Sequence, residues 1–89
     1  MSIRIKIRLY GRVQGVYFRK WNLIQAEELD LSGFAQNQSD GSLIIEAQGA
    51  ESSLEEFVFR CKDGPERAVI TDLVQTEIKT IEEDSFVIT

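Results

Sequence analysis

Residues 3–9 read Ile-Arg-Ile-Lys-Ile-Arg-Leu, an unbroken alternation, and Gly11 to Arg19 then reads GRVQGVYFR and opens a helical pattern. Alternation of period two is a half-buried strand. A strand that enters a glycine-containing loop and then a helix N-terminus is a geometry that binds anions. Backbone N–H groups converge there, and the helix dipole adds partial positive charge. Arg19 supplies a planar, permanently charged donor suited to phosphate oxygens. The loop lacks the Gly-Lys-Ser/Thr ending of a Walker A motif, and its glycine spacing is wrong for a dinucleotide fingerprint. An ordinary glycine turn followed by a solvated arginine fits the same residues, so loop chemistry alone leaves both readings open.

The chain of 89 residues, 43% apolar, is expected to form one domain over residues 1–89 with a core that needs no staples. The single Cys61 has no internal partner, which fits a reducing, cytoplasmic setting. No apolar run has membrane-spanning length, and no signal-peptide pattern is present. The net charge of −5 hides an asymmetry: residues 1–20 hold six of the ten Lys and Arg and no acid. An acidic chain is a poor nucleic-acid binder, yet its basic start could focus a small anion. Arg4, Lys6 and Arg8 are expected on the solvent face of the first strand, with Ile3, Ile5, Ile7 and Leu9 toward the core. There is no histidine, which excludes Ser-His-Asp, Cys-His and His-ligated metal sites. The acids lack EF-hand spacing, so no metal cage is visible.

Strand one is expected over residues 3–10 and helix one over Arg19 to Leu29, with Phe18, Asn22, Ala26 and Leu29 on its inner face. Asp30 sits where a helix C-cap belongs. Strand two spans Gly33 to Gln38, Asp40-Gly41 signals a hairpin, and strand three spans Ser42 to Gln48. Ser52 with Glu55 reads as a capping box for a second helix carrying Leu54, Phe57, Val58 and Cys61 inward, stopped at Gly64-Pro65. Strand four is expected at Leu73 to Lys79 and a short fifth at Ser85 to Ile88, with Glu82-Glu83-Asp84 a solvated turn. The order β-α-β-β-α-β-β suits an α+β ferredoxin-like sandwich, two helices on one face of a four- to five-stranded, mostly antiparallel sheet. Cys61 then lies in the core, inert.

The string GRVQGVYFR, the segment Leu31 to Asn37, the turn Asp40-Gly41-Ser42 and the later Gly64-Pro65 together resemble the acylphosphatase family, in order and spacing, over nearly the whole chain. The resemblance implies hydrolysis of the carboxyl–phosphate bond of acyl phosphates, with no metal and no cofactor. It implies that Arg19 binds phosphate, that Asn37 positions the attacking water, and that Gln14, Gly15, Val16, Tyr17 and Phe18 wrap the phosphoryl oxygens with main-chain N–H groups. The expected partners are a small acyl phosphate and inorganic phosphate, with no nucleic acid, no membrane and a monomeric state.

Two positions depart from the family pattern. Asn22 stands where Thr is usual, which bears on a hydrogen bond bracing the loop and hence on rate. Asp30 stands where Gly is usual, at a small cost in helix-end stability. Beside a degenerate, non-catalytic relative, against which the presence of Arg19 and Asn37 argues, two further rival readings stand. One is a ferredoxin-like RNA module, for which Tyr10 and Phe34 are the available sheet aromatics. The other is a domain of a larger system, such as the N-terminal domain of the hydrogenase maturation protein that handles carbamoyl phosphate. The chain's ending directly after its last strand leads us to expect a free-standing enzyme instead.

Overall fold

The computed structural model describes residues 2–89. Its elements are β1 (Ser2–Arg12), α1 (Phe18–Glu28), β2 (Ser32–Asn37), β3 (Leu43–Ala50), α2 (Glu51–Asp63), β4 (Val69–Ile78) and β5 (Phe86–Ile88). They form one five-stranded sheet in the order β4-β1-β3-β2-β5. Every pairing is antiparallel except β2 with β5, which is parallel. The expected α+β ferredoxin-like sandwich is therefore the fold observed.

The core follows from the alternation. Ile5, Ile7 and Leu9 of β1 and Leu43, Ile45 and Ala47 of β3 share one face of the sheet and are buried there. Phe18 and Ala26 of α1 and Leu54, Phe57, Val58 and Cys61 of α2 cover that face. Helix α1 ends as the sequence suggests. Asp30 takes a left-handed φ of 59°, and the Asp30 and Leu31 N–H groups return to the Glu27 and Ala26 carbonyls at 3.2 and 2.8 Å. These are the paired bonds of a Schellman ending.

Four expectations fail. Arg4 does not face solvent: it is 1% exposed. Its guanidinium donates to Glu46 at 2.9 Å and to Glu83 at 2.7 Å. Glu83 is thus not part of a solvated turn. Residues 79–85 must carry the chain from β4 at one sheet edge to β5 at the other, and they do so across the face without helices. The Gln48 amide fixes this strap, donating to the Ile81 carbonyl at 2.7 Å and accepting from the Ile81 N–H at 3.0 Å. The capping box also fails: Ala50 is the N-cap of α2, and no side chain caps it. Strand β3 runs directly into the helix, so Ser52 falls inside the first turn, where Glu51 meets the dipole instead. Strand β4 begins at Val69, four residues before the expected Leu73, because Gly11 and Arg12 pair with Ile70 and Val69 beyond a bulge at Tyr10/Gly11.

Candidate active site

That bulge aims the chain into the site. A Cβ on Gly11 would stand 2.1 Å from the Val69 carbonyl oxygen, so only glycine lets β1 and β4 approach here. Beyond it, residues 13–17 form a loop held from beneath. Val13 and Val16 are 1% and 6% exposed and sink into the core. The Gln14 amide reaches across to the β2–β3 hairpin and donates to the Gln38 and Ser42 carbonyls at 2.8 and 2.9 Å. The hairpin is itself fixed by Asp40. Its carboxylate accepts the Ser42 hydroxyl at 2.6 Å and N–H at 2.9 Å, and those bonds hold its pKa below the ordinary value.

Gly15 has φ +73°, with no atom within 4 Å of where a Cβ would sit. Tyr17, the N-cap of α1, has φ 61° and ψ 25°, a left-handed conformation uncommon for a residue with a side chain. No side chain caps α1 and no acid lies in its first turn. The first amides of a helix have no helical acceptor, so they remain available to a ligand and carry the positive end of the dipole.

A cavity of about 450 Å³ opens over this helix start, within the size range of small-molecule sites. Its lining brings together Gly15, Tyr17, Phe18, Arg19 and Asn37, five of the residues singled out from the sequence, with Val13, Lys20, Arg67 and Ile88. Gln14 and Val16 do not line it; their side chains anchor the loop behind. Arg19 donates to the backbone oxygen of Thr89 at 2.9 Å. Asn37 ends β2, and its Oδ1 is buried without a hydrogen-bond partner. A buried acceptor left unpaired is costly, and Asn37 is also one of the residues that line the cavity.

The cavity lining holds three of the chain's ten Lys and Arg and no acid, in a protein of net charge −5. Among the described residues Arg19, Lys20 and Arg67 form no ion pair. No group of three or more His, Cys, Asp or Glu among them could hold a metal ion. The arrangement suits a small anion: a fixed guanidinium, free amides at a helix start, and an amide side chain beside them. Among the described residues no helix is long and apolar enough to cross a membrane.

Arg67 and Ile88 were not foreseen. Arg67 reaches the cavity because Arg12 pairs with Val69, which brings the turn before β4 beside the loop after β1. Ile88 arrives through the parallel pairing of β5 with β2. Lys20, next to Arg19, carried only a charge signal. Asn22 does not brace the loop; it is fully buried and its amide lies 3.6 Å from the Cys61 sulfur, linking the two helices.

Comparison with known proteins agrees with this geometry. The family model described as Acylphosphatase matches residues 5–88. An acylphosphatase of Acidiphilium cryptum is 40% identical over 79 residues, covering 89% of this chain and 87% of that one. The crystal structure of acylphosphatase from Bacillus subtilis superposes with a TM-score of 0.94 at 36% identity, over all of this chain and 99% of that one. A full-length HypF in phosphate- and nucleotide-bound form gives 0.94 at 31% identity, but this chain covers 12% of it. The chain thus belongs to the acylphosphatase family, enzymes that hydrolyse acyl phosphates.

Proposed function

We propose that this enzyme hydrolyses the carboxyl–phosphate bond of small acyl phosphates without a metal, by in-line attack of a water positioned by Asn37. Arg19 and the main-chain N–H groups of residues 14–18 hold the phosphoryl oxygens. The Asn37 side-chain amide hydrogen-bonds the water and turns its lone pair toward phosphorus. The water oxygen bonds to phosphorus as the bond from phosphorus to the acyl oxygen breaks. The carboxylate leaves with that electron pair, and a phosphoryl oxygen takes the water's proton, giving inorganic phosphate. A carboxylate is a good leaving group, so no general acid is required. Positioning and charge neutralisation carry the barrier.

The observation that carries this reading is that Asn37 and Arg19 line one cavity at the start of α1 and that no acid lines it. The test is hydrolysis of benzoyl phosphate against p-nitrophenyl phosphate, with and without a chelator. Turnover of the first alone, untouched by chelation and inhibited by phosphate or sulfate, supports it. A requirement for Mg²⁺, removed by chelation and restored by the ion, overturns the metal-free mechanism. A monomeric, cytoplasmic enzyme is part of the same proposal; the cytoplasmic setting rests on the single unpaired, buried thiol.

A further inference from the structure

We propose that Arg67 is a specificity-determining residue that receives a second anionic group on the acyl part of the substrate. The enzyme would therefore favour acyl phosphates of dicarboxylic acids over those with neutral acyl groups. This rests on the hydrolase reading above, which already commits Arg19 and the loop amides to the phosphoryl group.

Arg67 enters the cavity from another element and another side. It precedes β4, whereas Asn37 ends β2, and in the sheet order β4 lies three strand spacings from β2, roughly 14 Å. Lys20 shares the first turn of α1 with Arg19, so Arg67 is the cation on the flank away from Asn37 and Ile88. It is also uncommitted. Arg4, Arg8 and Arg60 each pair with a carboxylate, while Arg67 is exposed and makes no ion pair or side-chain hydrogen bond among the described residues. With fifteen acids in the chain, an arginine left without one beside an acid-free cavity has its charge available to a ligand. The guanidinium fork matches a carboxylate in bidentate fashion, which a lysine could not do as well. A phosphoryl group alone leaves much of the 450 Å³ cavity empty, and a short acyl chain spans the remainder.

The experiment compares kcat/KM for succinyl phosphate, which carries a distal carboxylate, and acetyl phosphate, which carries none. The readout is the ratio of the two, measured for the unaltered enzyme, R67A, R67K and R67E. The ratio should fall about fivefold in R67A, the upper end for an exposed ion pair, with the change in KM for succinyl phosphate. R67K should retain part of the preference, and R67E should push the ratio lower still. A ratio held within twofold in R67A overturns the proposal, whatever happens to the overall rate. An equal loss on both substrates with weaker phosphate inhibition overturns it too, assigning Arg67 to the phosphoryl group. Failure of the unaltered enzyme to turn over either substrate would break the hydrolase reading itself, and the proposal with it.

Discussion

Buried Arg4 holds the Glu83 carboxylate at 2.7 Å, tying the first strand to the strap that delivers the last one. Burial alone would lower the Arg4 pKa, but its bonds to Glu83 and Glu46 outweigh that and keep it above the ordinary arginine value. Arg4 is therefore charged throughout the working pH range. The strap it clamps leads into β5, whose Ile88 lines the cavity and whose neighbour Thr89 accepts from Arg19. A contact on the helix-free face thereby supports the site at the sheet's end.

Glu83→Ala should destabilise the fold by about 2 kcal/mol, because it leaves a buried guanidinium short of one charged partner. Urea unfolding measures the loss. Amide exchange should quicken in the same variant at Thr89, whose N–H bonds the Ala35 carbonyl at 3.0 Å. Unchanged protection there would show that the clamp does not hold β5.

Arg19→Ala and Asn37→Ala should separate binding from turnover. Arg19 is half-buried and its one side-chain bond to protein is to Thr89, so its loss should spare the fold while lowering both phosphate affinity and kcat. Asn37→Ala should reduce kcat by roughly two orders of magnitude, the scale of a lost transition-state hydrogen bond. Its inhibition constant for inorganic phosphate should move far less. Near-normal kinetics in the first variant, or matched losses in the second, would refute the assigned roles.

Much of this was legible because it is local. The alternation of residues 3–9, the Asp40-Gly41 turn and the inward stripe of Leu54, Phe57, Val58 and Cys61 each encode their element within a few residues. The burial of Arg4 was not legible, since alternation tells which face a side chain takes but not what covers that face. Its cover comes from Glu83, 79 residues away in the chain. Arg67 was hidden for the same reason: only the pairing of Arg12 with Val69 sets it beside the loop. Ser52 and Glu55 carried a valid capping pattern two residues too late, because β3 left no residues for a separate cap. Arg19 and Asn37 were found through the resemblance, and the cavity supplies the physical reason they belong together.

Gly15 tests the loop itself. Its φ of +73° is left-handed, while the space around it is open, so backbone conformation rather than crowding excludes a side chain. Gly15→Val should weaken phosphate inhibition by about tenfold, since left-handed geometry is costliest for a β-branched residue. Gly15→Asn, which tolerates that geometry, should lose clearly less. Equal losses in the two variants would point to obstruction of the cavity and not to the loop's conformation.

Cys61 gives the protein an alkaline liability. It is fully buried against Asn22, and burial pushes its thiol from 9.0 up to about 12, the Asn22 bond pulling back only in part. The folded state therefore keeps this proton while the unfolded chain releases it above pH 9.0. Fewer protons bound on unfolding means that stability falls as pH rises through this window. Between about pH 8 and pH 10 the unaltered protein should lose about 1.4 kcal/mol more than Cys61→Ala, which has no thiol to titrate. The absolute cost of the small cavity in the variant is common to both pH values and cancels. Urea unfolding at the two pH values measures the difference. Parallel losses in the two proteins would mean that the thiol already ionises in the folded state, contrary to its burial.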